Sequence, residues 1–261
     1  MIGVFDSGLG GLTVVRELFR QLPGHDITYF GDTARLPYGT KGPDVIRRFA
    51  VQDTDFLLGQ GAKAIIVACN TVSSLAIDVV RERARGVPVF EVITPAVIAA
   101  AAVTKGRVGV IGTSGTIASG IHAKEMALAA PDVKVFARAC PLFVPLVEEG
   151  WMRRPETASI ANEYLRPLRL RRIDTLILGC THYPFLKPVI AKSVPGARLI
   201  DPARETVAAF ARHLGGHPEL RKQLRKRRRQ QFFVSDRTTH FVRIASRWLG
   251  REIDLENAVI E

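Results

Sequence analysis

Short, mostly apolar runs recur along the chain, many of them closed by polar or glycine-rich residues. Ile2–Phe5, Asp26–Phe30, Ala64–Ala68, Val87–Phe90, Val108–Gly112, Lys134–Ala139, Asp174–Leu178, Leu199–Pro202 and Gln231–Val234 read as strands. Continuous rather than alternating apolarity is the mark of strands buried on both faces, as in parallel sheets. Between these runs, apolar residues fall at helical spacing. Helices are predicted over Leu12–Leu22, Asp44–Gln60, Leu75–Ala84, Ala96–Ala102, Thr157–Leu168, Ala203–Leu214 and Thr239–Leu249. Leu142–Glu149 is a further short apolar stretch ending in Glu148 and Glu149. Pro23-Gly24 stops the first helix, and Gly61 closes the second as a C-cap. Strands alternating with helices predict an α/β fold.

The strand ends hold the informative residues. Ile2–Phe5 runs into Asp6-Ser7-Gly8-Leu9-Gly10-Gly11, and Ala64–Ala68 into Cys69-Asn70-Thr71. Later, Val108–Ile111 runs into Gly112-Thr113-Ser114-Gly115-Thr116, and Asp174–Leu178 into Gly179-Cys180-Thr181-His182-Tyr183-Pro184. The offset from Gly3 to Gly109 nearly equals that from Cys69 to Cys180. Two matches in the same order point to an internal duplication. The chain is therefore expected to form two pseudo-symmetric open-sheet α/β domains with the active site at their interface. Residues 1–93 plus 206–261 would make a discontinuous first domain, and residues 94–205 the second. Ligands of such sheets lie outside the carboxyl ends of the strands. Asp6, Ser7, Cys69, Thr113, Thr116 and Cys180 all fall there.

Composition narrows the classes. The chain has 261 residues, 47% hydrophobic and 24% charged, ordinary for a globular protein. The start, Met1–Asp6, lacks a basic region and meets an acid early, which argues against a secretory leader. The longest apolar run, near Pro95–Val103, falls short of the ~20 residues a membrane span needs. A cytoplasmic protein without membrane attachment is expected. Three cysteines, none in CxxC spacing, exclude a disulfide framework and argue against thioredoxin-like redox work. Cys140, in Ala139-Cys140-Pro141-Leu142, reads as a small buried hydrophobe. A metal site from Cys69, Cys180 and His182 is disfavoured, because a tight Cys-x-His turn ligates awkwardly and no fourth ligand is evident.

A thiolate is both nucleophile and base, and a helix N-terminus lowers a thiol's pKa. Cys69 and Cys180 each precede a predicted helix. Facing one another from duplicated halves, one could take a proton from a carbon while the other donates to the opposite face. Such a pair inverts a stereocentre. Asp6 and His182 stand where they could tune the two thiols unequally.

These motifs, with Gly31-Asp32-Thr33-Ala34-Arg35-Leu36-Pro37-Tyr38-Gly39 and Pro141–Gly150, resemble the signature set of bacterial glutamate racemases over nearly the whole chain. The resemblance implies a cofactor-independent racemase that supplies D-glutamate for peptidoglycan. It implies Cys69 and Cys180 as the two bases, with Asp6, Ser7, Tyr38, Gly39, Asn70, Thr71, Thr181 and His182 lining the substrate. Thr113 and Thr116 add hydroxyls, and Asp32 and Glu148 match acids near the site. Hydroxyls and helix N-termini would take the carboxylates, and an acid such as Asp6 the ammonium. Aspartate racemases typically carry glutamate where His182 stands. The alternatives are a racemase for aspartate or another acidic amino acid, or a non-catalytic partner of nucleic acid or DNA gyrase. A homodimer is implied by the family.

The net charge is +12 and the isoelectric point about 10.2. Part of the charge is the run Arg221–Arg229. Without interleaved aromatics it reads as a solvated helix face. A nucleic-acid-facing patch is the second reading, since some glutamate racemases interact with DNA gyrase.

Overall fold

The computed structural model describes residues 1–224 and 226–260. Among them are two parallel sheets. The first is six-stranded and the second four-stranded. In chain order the strands are β1 (Ile2–Asp6), β2 (Ile27–Gly31), β3 (Ala64–Val67), β4 (Val89–Glu91), β5 (Arg107–Gly112), β6 (Lys134–Ala139), β7 (Thr175–Gly179), β8 (Arg198–Ile200), β9 (Gln230–Val234) and β10 (Glu256–Asn257). The first sheet runs β10-β9-β2-β1-β3-β4 and the second β6-β5-β7-β8. The order β2-β1-β3-β4 thus recurs as β6-β5-β7-β8, which is the topological form of the duplication. The central strands β1, β3 and β7 are buried along their whole length. The edge strand β6, with Lys134 and Arg138, is largely exposed, and charge on an edge discourages pairing with other chains.

The strand order fixes where a crevice can form. The chain goes from β1 to β2 on one side, then returns to place β3 on the other. This reversal leaves a gap at the carboxyl ends of β1 and β3. Asp6 ends β1, and Cys69 follows β3. The same reversal at β5 and β7 places Thr113 and Cys180 equivalently.

One apolar cluster joins both sheets. It includes Val4, Leu12, Leu18 and Ile66 from around the first, and Phe143, Leu176, Tyr183 and Ile190 from around the second. The helix Pro202–Gly216 adds Val207 and Phe210 to it, and the helix Thr239–Leu249 adds Ile244 and Trp248. The carboxylate of Glu91, at the end of β4, accepts the amides of Ile93 (2.5 Å) and Thr94 (2.9 Å), where the helix Thr94–Ala101 begins.

Several elements differ from the sequence reading. The helix expected over Leu75–Ala84 is two helices, Asn70–Leu75 and Ile77–Arg83, broken at the buried Ala76. Helices at Ser114–Ala118 and Ile121–Ala129 are not predicted, and the one expected after Cys180 begins only at Lys187, after the 3-10 turn Tyr183–Leu186. Thr116 therefore lies inside a helix, not at a strand end. The basic run is not one solvated helix face. Only Arg221 and Lys222 of its described basic residues are helical, in Pro218–Gln223, and Arg225 lies outside the described residues. Asp26 explains the departure: its Oδ1 accepts the amides of Arg227 (2.8 Å) and Arg229 (3.1 Å), drawing the chain into β9. No helix among the described residues is long and apolar enough to cross a membrane.

Candidate active site

A cavity of about 350 Å³ opens at the carboxyl ends of the two sheets. Ser7, Tyr38, Gly39, Cys69, Asn70, Thr71, Thr113, Glu148, Cys180, Thr181 and His182, all singled out from sequence, line it. Asp6, Asp32 and Thr116 are buried and do not line it. Sequence reasoning missed Leu36, Pro37, Thr40, Ser114, Pro141, Val144 and Pro145, which form the rest of its wall. Leu36, Pro37, Pro141, Val144 and Pro145 carry no reactive group, and Ser114, Val144 and Pro145 lie in short helices.

Two glycines let the halves meet. A methyl group on Gly10 would sit 2.2 Å from Thr181 Oγ1 and 2.7 Å from His182 Nδ1. One on Gly39 would sit 2.6 Å from Thr113 Cβ. Any side chain at either position would push a first-half loop off the second-half residues.

The two thiols have unlike neighbours. Cys69 is the N-cap of the helix Asn70–Leu75. Burial, then the carboxylate of Asp6, pushes its thiol up to about 12, against hydrogen bonds from the Val72 amide and from Ser7. The lowering expected from a helix N-terminus is outweighed. Burial also raises Asp6 above the ordinary carboxyl range, although His182 and the amides of Gly11 and Gly8 oppose it. Asp6 Oδ2 accepts those amides at 3.0 and 3.2 Å.

Cys180 sits in a tight turn whose amide donates to Leu178 O at 2.8 Å, followed by the 3-10 turn Tyr183–Leu186. Its Sγ is 3.8 Å from His182 Nδ1, and His182 Nε2 is 3.0 Å from Glu148 Oε1. Burial disfavours the imidazolium, yet Cys180 and Glu148 together raise His182 to about 10. The ring edge of His182 also packs on Trp248, with centroids 5.7 Å apart. Glu148 reaches the ring from the helix Phe143–Glu148.

A hydroxyl cluster closes another side. Thr71 Oγ1 lies 3.1 Å from Thr113 Oγ1 and 3.4 Å from Thr116 Oγ1, and Thr113 donates to Thr116 at 3.0 Å. Thr116 thus orients the hydroxyls without facing the cavity. The amide oxygen and nitrogen of Asn70 are buried without a hydrogen-bond partner among the described residues. Unpaired buried polar atoms are costly, and these belong to a cavity-lining residue.

Tyr38 lines the cavity, and its hydroxyl turns to Asp32 and Asp53. Asp32 is an anchor: it also accepts Arg35 Nε at 2.5 Å and Ser235 Oγ at 2.7 Å. Asp53 went unnoticed in the sequence. Its signal was an acid on the buried stripe Ile46, Ala50, Leu57. Cys140 is wholly buried, as its apolar setting predicts. Its carbonyl accepts the Tyr183 hydroxyl at 2.8 Å. Among the described residues, no group of three His, Cys, Asp or Glu could hold a metal ion.

Known proteins share this architecture. The family described as Asp/Glu/Hydantoin racemase matches residues 2–210. A glutamate racemase of Geobacter metallireducens is 46% identical over 97% of this chain and 93% of its own length. One from Neisseria gonorrhoeae is 44% identical over 97% and 94%. The crystal structure of glutamate racemase from Francisella tularensis in complex with D-glutamate superposes with a TM-score of 0.92. It is 41% identical and covers 99% of this chain and 97% of that one. Two thiols at the ends of matched strands and this full-length likeness lead to one assignment: the chain belongs to the Asp/Glu/Hydantoin racemase family, among its glutamate racemases.

Proposed function

We propose that the chain interconverts L- and D-glutamate, with Cys69 and Cys180 as two bases on opposite faces of the α-carbon. The observation that supports this best is that both thiols line one cavity, each reaching it from its own repeat. One thiolate takes the α-proton. The electron pair stays on the carbon, delocalised into the carboxylate. The opposing thiol then gives its proton to the other face. No other group is oxidised, reduced or transferred, so the step balances with the protein's own residues and needs no cofactor.

Each thiol has its own proton partner. Asp6 stands beside Cys69, and its raised pKa suits a carboxyl that takes and returns a proton. His182, held by Glu148, does the same for Cys180. A substrate ammonium in the cavity would favour a thiolate by nearby positive charge. Thr71, Thr113, Thr181 and the unpartnered amide of Asn70 offer hydrogen bonds to the two carboxylates. The same family reading assigns the D-glutamate to peptidoglycan synthesis, in a cytoplasmic homodimer.

The test is α-carbon exchange in heavy water. With L- or D-glutamate and no added cofactor, we expect deuterium at the α-carbon and formation of the other enantiomer. Cys69→Ala and Cys180→Ala should each abolish interconversion. A near wild-type rate in either variant would remove the two-base mechanism.

A further inference from the structure

Asp53 lies within the helix Pro43–Gly59 and is wholly buried. Its Oδ1 accepts from Arg35 Nη2 at 3.1 Å, and its Oδ2 is 3.2 Å from the Tyr38 hydroxyl oxygen. The same hydroxyl makes a much closer contact with Asp32 Oδ2. Asp32 also receives Arg35 Nε and Ser235 Oγ. Arg35 Nη1 donates to Gln52 Oε1 at 2.5 Å, and the guanidinium lies over the Phe49 ring at 4.0 Å.

The protons in this cluster can be counted. A tyrosine hydroxyl has one hydrogen, and the closer contact assigns it to Asp32. Asp53 Oδ2 then faces an oxygen lone pair unless it carries a hydrogen itself. One guanidinium also balances only one of two buried carboxylates, and two such groups in one site do not both ionise readily. Burial, and then the Asp32 charge, push Asp53 the same way, well above the usual carboxyl range.

We propose that Asp53 is a positioning residue, a protonated carboxyl that donates to Tyr38 and so fixes the segment 36–40 as a wall of the cavity. Leu36, Pro37, Tyr38, Gly39 and Thr40 all line the cavity, whereas Asp53 does not. Tyr38 is the lever: the residue lines the cavity and its hydroxyl is in the cluster. Gly39 is next to it and packs on Thr113. Loss of Asp53 should therefore loosen substrate binding and leave proton transfer at Cys69 and Cys180 intact.

The kinetic test rests on the proposed glutamate reaction and compares Asp53→Asn, Asp53→Ala and Tyr38→Phe. Asparagine keeps an acceptor and a donor in place and carries no charge. Asp53→Asn should keep KM and kcat within about threefold of wild type. Asp53→Ala should raise KM for glutamate by about tenfold, the scale of one lost buried hydrogen bond, with kcat within about threefold. Equal impairment by Asn and Ala would overturn the proposal, as would a fall in kcat at unchanged KM. If Asp53→Ala does not fold, Tyr38→Phe carries the same expectation of a raised KM, and an unchanged KM overturns it.

A second readout needs no substrate. A carboxyl kept protonated in the native state costs stability as pH rises above its ordinary value of 3.8, because the unfolded chain ionises there and the native one does not. Denaturant unfolding of wild type should therefore lose ground to Asp53→Asn between about pH 4 and 8. The titratable groups facing Asp53, namely Asp32, Arg35, Tyr38 and Asp6, are present in both proteins. A flat difference, or one moving in favour of wild type, overturns the protonated carboxyl. A wild-type protein inert toward glutamate would sink the proposed reaction and leave this test standing.

Discussion

Cys69 and Cys180 are the same residue at matched places, and their neighbours make them unequal. Cys69 has a buried carboxyl beside it; Cys180 has an imidazole that is itself held by Glu148. Against its burial, Cys180 and Glu148 raise His182 to about 10, which favours the imidazolium over the neutral range. If that proton is needed at Cys180, kcat/KM falls as pH rises through the histidine value. Glu148→Gln removes one of the two partners that raise it, so the alkaline fall should begin at lower pH. The same sign governs stability: the raised imidazole stabilises fully below its ordinary 6.5 and loses that contribution as pH rises through about 10. Glu148→Gln should therefore also be less stable at pH 8. Parallel pH–rate profiles and unfolding curves check this, and an unmoved alkaline limb would show that Glu148 does not act through His182. The cysteines and His182 were legible in the sequence because each sits beside the apolar run that places it. The Glu148 contact was not, since its partner is a distant residue in another element. Asp53 was hidden for the opposite reason: it reads as one charge among many on an amphipathic helix until its stripe is traced.

At the scale of elements, strands were read more faithfully than helices. A fully buried parallel strand is a continuous apolar word, and β1, β3 and β7 carry one each. Short helices against the cavity carry little periodicity. Four of the six residues of Asn70–Leu75 are polar, so its pattern resembles a loop. It is a helix without a side-chain cap, with Asn70, Thr71, Val72 and Ser73 buried at the carboxyl end of β3. The glycines of the turn after β1 chiefly permit close approach. Gly10 is the sharpest case, with Thr181 and His182 against its Cα. Gly10→Ala should displace the turn carrying His182 while leaving β1 and its register alone. Displacement of a catalytic group by about 1 Å costs roughly 100-fold. We expect kcat/KM to fall on that order with unfolding stability changed far less. A variant within a few-fold of wild type would mean the turn gives way freely.

At the scale of the molecule, the duplication was legible from two weak repeats, because nearly equal offsets in the same order constrain topology strongly. The matching strand orders, β2-β1-β3-β4 and β6-β5-β7-β8, carry its consequence. What could not be read was how the two crevices face one another, since that depends on one apolar cluster packing residues of both sheets together. The consequence can be measured on all three cysteines at once. Cys69 and Cys180 border the cavity, while Cys140 is buried away from it. With a small neutral alkylating reagent, the two cavity thiols should react and Cys140 should not. Glutamate at about 100 times its Kd leaves roughly 1% of sites empty by mass action. Both reaction rates should then fall by about 100-fold, together and with the same midpoint. Site-resolved mass spectrometry separates the three rates. Protection of one cavity thiol without the other would mean that glutamate occupies one crevice and not the space between the two repeats.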